Sequence, residues 1–108
     1  MSTVLEALRG INSYPIPLRT INEVAERRGV DLNEETTVDI LQGRAFNLSR
    51  ADLLLWLSYA PNVTQGGQSY SFSDEQRMRM RGMAHQIYDE MKEEGMPKTL
   101  YGYKGKRL

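Results

Sequence analysis

Apolar residues recur at helical spacing most clearly in the last third of the chain, after Ser73. Ser73-Asp74-Glu75-Gln76 has the form of a capping box, in which a serine hydroxyl and a glutamine side chain bond the free amides at a helix start. The pattern predicts one long amphipathic helix that closes at Gly95, before Pro97. Its apolar stripe consists of Met80, Met83, Ala84, Ile87, Tyr88 and Met91.

Two shorter helices are predicted near the N-terminus. Thr3-Val4-Leu5-Glu6 is a second capping-box form, and the apolar positions after it extend a short helix to about Ile11. A second helix, about Pro17–Arg28, has a proline at its start and Gly29 in the position of a C-terminal cap. The apolar face of this second helix contains Leu18, Ile21, Val24 and Ala25.

The middle of the chain has a helical pattern from Asn33, a natural N-cap, to Ala60. Its nearly all-apolar run from Leu53 to Leu57 predicts the buried centre of the domain. Gly43 lies inside this segment and weakens a helix by roughly 1 kcal/mol relative to alanine, so a kink or two separate helices are both open. We predict one long, bent helix that Pro61 ends.

Between the two long helical patterns, Val63-Thr64-Gln65 and Ser69-Tyr70-Ser71-Phe72 flank Gly66-Gly67. Two glycines supply the positive φ angles of a tight turn, so the pattern predicts a hairpin with Tyr70 and Phe72 on one side. An isolated hairpin is marginal in water, and it needs a partner surface, either its own helices or a neighbouring subunit. The fold class expected is mainly α, a single helical domain over residues 1–97 of about four helices, with a short β-hairpin or extended loop between the last two long ones.

Charge is unevenly distributed, although the 108-residue chain has a formal net charge of zero. Residues 98–108 contain four cations and no acid, so the remaining body carries a net charge of −4. An acidic body argues against tight binding to nucleic acid, which depends on clustered Lys and Arg. Residues 98–108 are predicted to be a flexible tail, either purely solubilising or an arm that orders on an acidic partner, with candidate contacts at Tyr101, Tyr103, Lys104, Lys106 and Arg107.

Sites for chemistry are not indicated by the sequence. There is no cysteine, and none of the common phosphate-binding, zinc-protease or nucleophile motifs occurs. His85, the one histidine, borders the apolar stripe and is interpreted as a boundary residue, and the acids from Asp89 to Glu94 as a solvated helix face. We therefore expect no catalytic residue, no cofactor and no metal, and the absence of a leader or a long apolar run predicts a cytoplasmic protein.

A helix-turn-helix-like element over residues 21–41 is the alternative function. Ala25 followed four residues later by Gly29, between two helical patterns, resembles such an element. The helix that would read DNA contains Glu34, Glu35 and Asp39 and no cation before Arg44, and these carboxylates would be repelled by phosphate. A small DNA-binding regulator is therefore the second hypothesis, and an enzyme subunit whose active site lies in a partner is the third.

Three segments carry a resemblance to a known family, namely Ala51–Asn62, Gly66–Ser73 and Gln86–Tyr88. Their sequences and their order resemble phage and prophage head–tail connector proteins, also called head-completion adaptors, and small prophage proteins of Bacteroides-type bacteria. The resemblance implies a structural subunit without catalysis that self-associates into a ring on the portal, completes the head and docks the tail. Its implied partners are portal and tail-completion proteins, with no membrane and no sequence-specific nucleic acid, and its location is the virion if the phage is active.

On that reading, the hairpin is the predicted protein interface, through Gly66, Gly67, Tyr70 and Phe72, together with the tail contacts. A ring closes through two different patches on each subunit, and the hairpin and the tail provide such patches.

Overall fold

The computed structural model describes residues 2–91. In chain order the elements are α1 (Val4–Arg9), α2 (Leu18–Arg28), α3 (Val38–Gln42), α4 (Arg44–Tyr59), β1 (Val63–Gln65), β2 (Gln68–Tyr70) and α5 (Asp74–Met91). The prediction of a mainly α fold with a hairpin before the last helix is confirmed. The predicted end of α5 at Gly95 and the tail over residues 98–108 lie outside the described residues.

The core is built around α4, which packs against α5 along most of its length and against α2 on another side. Leu53 and Leu57 are fully buried, as the apolar run predicts, whereas Leu55 and Trp56 remain half-buried. From α5, the stripe contributes Met80, Ala84 and Ile87 to the core, while Met83 stays 42% exposed. Burial at a spacing of three to four residues places one face of α5 on α4.

The predicted starts of α1 and α5 and the predicted end of α2 are confirmed by hydrogen bonds and backbone angles. In α1, the Glu6 amide donates to Thr3 Oγ1 at 3.3 Å and the Thr3 amide to Glu6 Oε1 at 2.8 Å. The same reciprocal pair joins Ser73 and Gln76 at the start of α5, at 3.1 and 2.8 Å. Gly29 ends α2 in the left-handed region, with φ 74°.

The predicted long helix between Asn33 and Ala60 is wrong, because Gly43 separates two helices. Gly43 has extended backbone angles, φ −74° and ψ 159°, and it caps α3 and opens α4. The Asn47 side chain stabilises this break by donating to the carbonyl oxygens of Leu41 at 3.1 Å and Gly43 at 2.8 Å. Carbonyls at a helix end need such donors, and Asn47 supplies them locally.

The start of this region also differs from the prediction, because Thr37, not Asn33, is the N-cap, through its hydroxyl and the Ile40 amide at 3.2 Å. The segment before it pairs with the chain start: the Val4 amide donates to Glu34 O at 2.9 Å, and the Thr36 amide to Ser2 O at 3.0 Å. These extended contacts satisfy backbone groups that a helix would otherwise have paired. As a result α3 has only five residues. The second helix that the helix-turn-helix hypothesis requires is therefore little more than one helical turn long.

Candidate interaction surface

The predicted hairpin forms, with a tight turn at its tip. β1 and β2 pair antiparallel in the register Val63↔Tyr70, Thr64↔Ser69 and Gln65↔Gln68. Gly66 and Gly67 have φ angles of 61° and 80°. A two-residue hairpin turn of type I′ requires positive φ angles at both of its central residues. The second strand is one residue earlier than predicted at its start and ends at Tyr70 rather than Phe72.

Tyr14, in the linker before α2, is the centre of an aromatic cluster that holds the hairpin. Its ring stacks on Phe72 at a centroid distance of 5.5 Å and meets Tyr70 edge-on at 6.3 Å. On its other side it meets Trp56 of α4 edge-on at 5.9 Å. The Tyr14 hydroxyl donates to the Pro61 carbonyl oxygen at 2.6 Å, so a buried polar atom is satisfied as well.

Arg77 of α5 fixes the base of the hairpin from the other side. One guanidinium nitrogen, Nη1, donates to the carbonyl oxygens of Ser58 at 3.2 Å and Ala60 at 2.6 Å, at the C-terminal end of α4. The other, Nη2, donates to Asn62 Oδ1 at 2.9 Å, and the same oxygen accepts from the Phe72 amide at 3.2 Å. A cation at this position complements the negative end of the helix dipole. The guanidinium also lies 5.5 Å from the centre of the Phe72 ring.

The hairpin therefore packs against the helical body of its own chain. The sequence had left open whether its partner surface is these helices or a neighbouring subunit. Tyr70 and Phe72, predicted as interface residues, are half-buried on the Tyr14 side. Gly66 and Gly67 are exposed at the tip, and Thr64 and Ser69 form the outward face. The tail residues of the predicted interface, Tyr101, Tyr103, Lys104, Lys106 and Arg107, lie outside the described residues.

A buried carboxylate joins three helices, and the sequence analysis missed it. Asp52 of α4 accepts from Arg28 Nε at 2.7 Å and Arg28 Nη2 at 2.9 Å, from Arg27 Nη2 at 3.1 Å, and from the Tyr88 hydroxyl of α5. Only 6% of the Asp52 side chain is exposed. The signal available in the sequence was an aspartate directly before the apolar run Leu53–Leu57, since a buried acid requires a cationic partner.

Electrostatics make this contact ionic at neutral pH. Burial disfavours the charged form of Asp52, but the bonds from Arg28, Tyr88 and Arg27 outweigh it and hold the pKa of this carboxyl below its ordinary value. The bond with Asp52 raises the pKa of Arg28. Burial, together with the bond to Asp52, raises the pKa of the Tyr88 phenol well above its ordinary value.

Both oxygens of Asp52 are occupied by donors, so this carboxylate holds helices together and has no free lone pair directed at a ligand. The same geometry bears on the regulator hypothesis, because Arg27 and Arg28 lie within residues 21–41, the segment that this hypothesis assigns to DNA binding. Arg28 is committed to Asp52 and only 24% exposed, whereas Arg27 is 60% exposed.

The exposed apolar features of the described residues include a groove and the surface of α3. Between α2 and α4 lies an open groove of about 460 Å³, whose wall includes Val24, Trp56 and Tyr59. At the opposite end of α4 from the hairpin, α3 exposes Val38 and Leu41, by 67% and 41%.

Other predicted features are exposed on α5. His85 lies on the surface, with its ring 6.2 Å from that of Tyr88, and Asp89 and Glu90 are exposed as a helix face. Over residues 2–91, no three His, Asp or Glu side chains converge as metal ligands would. Among the helices described, none combines the length and apolar character needed to cross a membrane.

The comparisons with known proteins returned no match: no family model, no curated protein and no solved structure is significantly similar to this chain.

Proposed function

We propose that the protein is a structural subunit of the head–tail connector type, which assembles on a phage or prophage portal ring and offers a docking face to the tail. The observation that carries this proposal is a hairpin fixed to the helical body by Tyr14 and Arg77, with its glycine tip and outward face exposed. A fixed projection binds a partner at a low cost in conformational entropy.

The segments that carry the resemblance form one connected unit, which supports the proposal. Ala51–Asn62 belongs to α4 and its C-terminal end, Gly66–Ser73 to the hairpin, and Gln86–Tyr88 to α5. Asn62 links the first two of these segments, because its Oδ1 accepts from the Phe72 amide, and Tyr88 joins the third to α4 through Asp52.

Ring closure needs two different patches on one subunit, set apart in space. The hairpin lies at the C-terminal end of α4 and α3 at its N-terminal end. A 16-residue helix is about 24 Å long, so the exposed Val38 and Leu41 lie far from the hairpin tip. This separation suits head-to-tail contacts between neighbouring copies.

A test is co-expression with the portal-like protein encoded nearest in the genome, followed by particle imaging. The informative variant is Thr64→Glu with Ser69→Lys, because the two new charges face each other across the strands and can pair while the outward face changes. The control is Asn22→Glu with Glu26→Gln on the exposed side of α2, since it also leaves the net charge unchanged.

The connector role predicts that the wild type and the control variant each form a ring of density under the portal. The hairpin variant should form no such ring. If the wild type associates with no neighbouring structural protein, the proposal is wrong. If the hairpin variant assembles as well as the control, the hairpin is not the docking element.

A further inference from the structure

We propose that residues 98–108 dock in the same chain on a surface formed by α3 and the turn before it. This α3 surface consists of Glu34, Glu35, Val38, Asp39 and Leu41. The inference does not depend on the connector role, since it concerns two parts of one chain.

The α3 surface combines exposed apolar side chains with carboxylates of one sign. Val38 is 67% and Leu41 is 41% exposed, on a helix of five residues. Between Gly29 and Gly43 the chain contains four acids and no Lys or Arg, and all four carboxylates are exposed. The ion pairs found within residues 2–91 involve none of them. Such a surface is complementary to a segment that carries both cations and apolar groups.

Residues 98–108 have that composition. The segment contains four cations and no acid, and its apolar side chains are Leu100, Tyr101, Tyr103 and Leu108. Lys and Arg side chains lay their aliphatic stems on apolar surface while their charged ends reach carboxylates. Tyrosine contributes a large apolar area with few rotatable bonds.

Met91, the last described residue, lies close to α3 and far from the hairpin. The Met91 carbonyl oxygen accepts from Arg44 Nε at 2.9 Å, and Arg44 follows the last residue of α3 by two positions. The six residues from 92 to 97 span up to about 20 Å when extended, which is enough to reach any part of a helix of five residues.

The short connection also favours the same chain over a second copy. A segment tethered by a short linker has an effective concentration in the millimolar range, so a weak contact suffices within one chain. An acidic partner would compete for the same cations.

The test uses the full-length chain, which has no cysteine, so Gly105→Cys provides one attachment site for a nitroxide spin label. At low salt we expect the label to broaden the backbone amide signals of α3 and to leave those of Gln65–Gln68, at the far end of α4, unaffected. Broadening should decrease at high salt, because the Debye length falls to about 3 Å at 1 M.

Reversing the tail charges with Lys104→Glu, Lys106→Glu and Arg107→Glu should abolish the broadening at α3. The matched control reverses three exposed arginines of the body, Arg9, Arg19 and Arg79, to glutamate, with the same change in net charge, and should retain it.

A mixed sample distinguishes docking within one chain from docking between two copies. In it, one set of chains carries the spin label but no NMR isotope, and the other set carries the isotope but no spin label. Broadening in this mixture would assign the contact to a second copy and overturn the proposal. No broadening of α3 at low salt, or broadening that the tail reversals leave unchanged, would overturn it as well.

Discussion

The hydroxyl of Tyr14 donates a 2.6 Å hydrogen bond to the carbonyl oxygen of Pro61, 47 residues further along the chain. This bond joins the linker before α2 to the residue that follows the end of α4. It also places the Tyr14 ring between Trp56 and the two aromatic rings at the hairpin. The hairpin is thereby part of the folded body.

Tyr14→Phe removes this hydrogen bond and keeps the ring. We expect the free energy of unfolding to fall by about 1 kcal/mol, because the part-buried bond from the Tyr14 hydroxyl to the Pro61 carbonyl oxygen is lost. Urea denaturation measures the change, with Tyr59→Phe as the control, since Tyr59 is 69% exposed. Equal stability of both variants would show that the bond contributes nothing.

Tyr70→Ala with Phe72→Ala tests whether the rings belong to the body. If Tyr70 and Phe72 were exposed interface residues, as the sequence predicts, this double variant would impair assembly and leave the helical signal intact. Because both rings pack on Tyr14, we now expect it to lower the free energy of unfolding by about 2 to 4 kcal/mol. Thr64→Ala with Ser69→Ala on the outward face should change it little; a double aromatic variant as stable as this control would contradict the packing role.

Asp52→Asn tests the buried ion pair. We expect a loss of about 3 kcal/mol at pH 7, because Arg28 keeps its charge and loses its counter-ion. The pKa of Asp52 is lowered in the folded state, so its contribution is complete above its unfolded pKa and is lost as pH falls through the folded pKa.

The difference in stability between wild type and Asp52→Asn should therefore be constant from pH 7 to about pH 5 and shrink below about pH 4. Denaturation curves across this range measure it. Asp89→Asn, at an exposed acid of α5, is the control and should change stability little. A difference that is independent of pH down to pH 2 would contradict the ionic contact.

Arg77→Lys tests the fixation of the hairpin base. Lysine keeps the charge but lacks the planar fork that reaches Ala60 and Asn62 together. We expect amide exchange of β1 and β2 to accelerate about tenfold, while exchange in the centre of α4 is unchanged. Arg79→Lys, an exposed neighbour on α5, is the matched control. Equal exchange in both variants would assign the hairpin's rigidity to the aromatic cluster alone.

Two glycines should respond in opposite ways to alanine. Gly82 lies inside α5 with open space at its missing Cβ, so Gly82→Ala should stabilise the protein by about 0.5 to 1 kcal/mol. At Gly43 a Cβ would lie 3.2 Å from the carbonyl oxygens of Asp39 and Ile40, so Gly43→Ala should destabilise it by about 1 kcal/mol or more. Thermal unfolding of both variants checks the sign of each change.

Local signals in the sequence were sufficient where the physical cause is local. The capping boxes at Thr3 and Ser73 act over three residues, and the Gly66-Gly67 turn depends on the backbone freedom of two. The apolar run from Leu53 likewise identified the core, because a helix that is apolar on most sides is stable only when buried.

The break at Gly43 and the extended segment before α3 were not predictable in the same way. Asn47 bonds the carbonyls that the break exposes, and residues 34 and 36 pair with the chain start, at sequence separations of 30 and 34. A pattern read along the chain contains no information on which distant backbone group is close enough to compete with a helical bond.

The sequence by itself determined the helix-rich class, the caps at Thr3, Ser73 and Gly29, the hairpin turn and the core stripe of α5, because each depends on neighbours within a few residues. Tertiary structure decided the partners of Asp52, the fixation of the hairpin by Tyr14 and Arg77, and the extended pairing of residues 34 and 36 with the chain start. These depend on long-range contacts, whose free energy is gained only once distant segments are packed together.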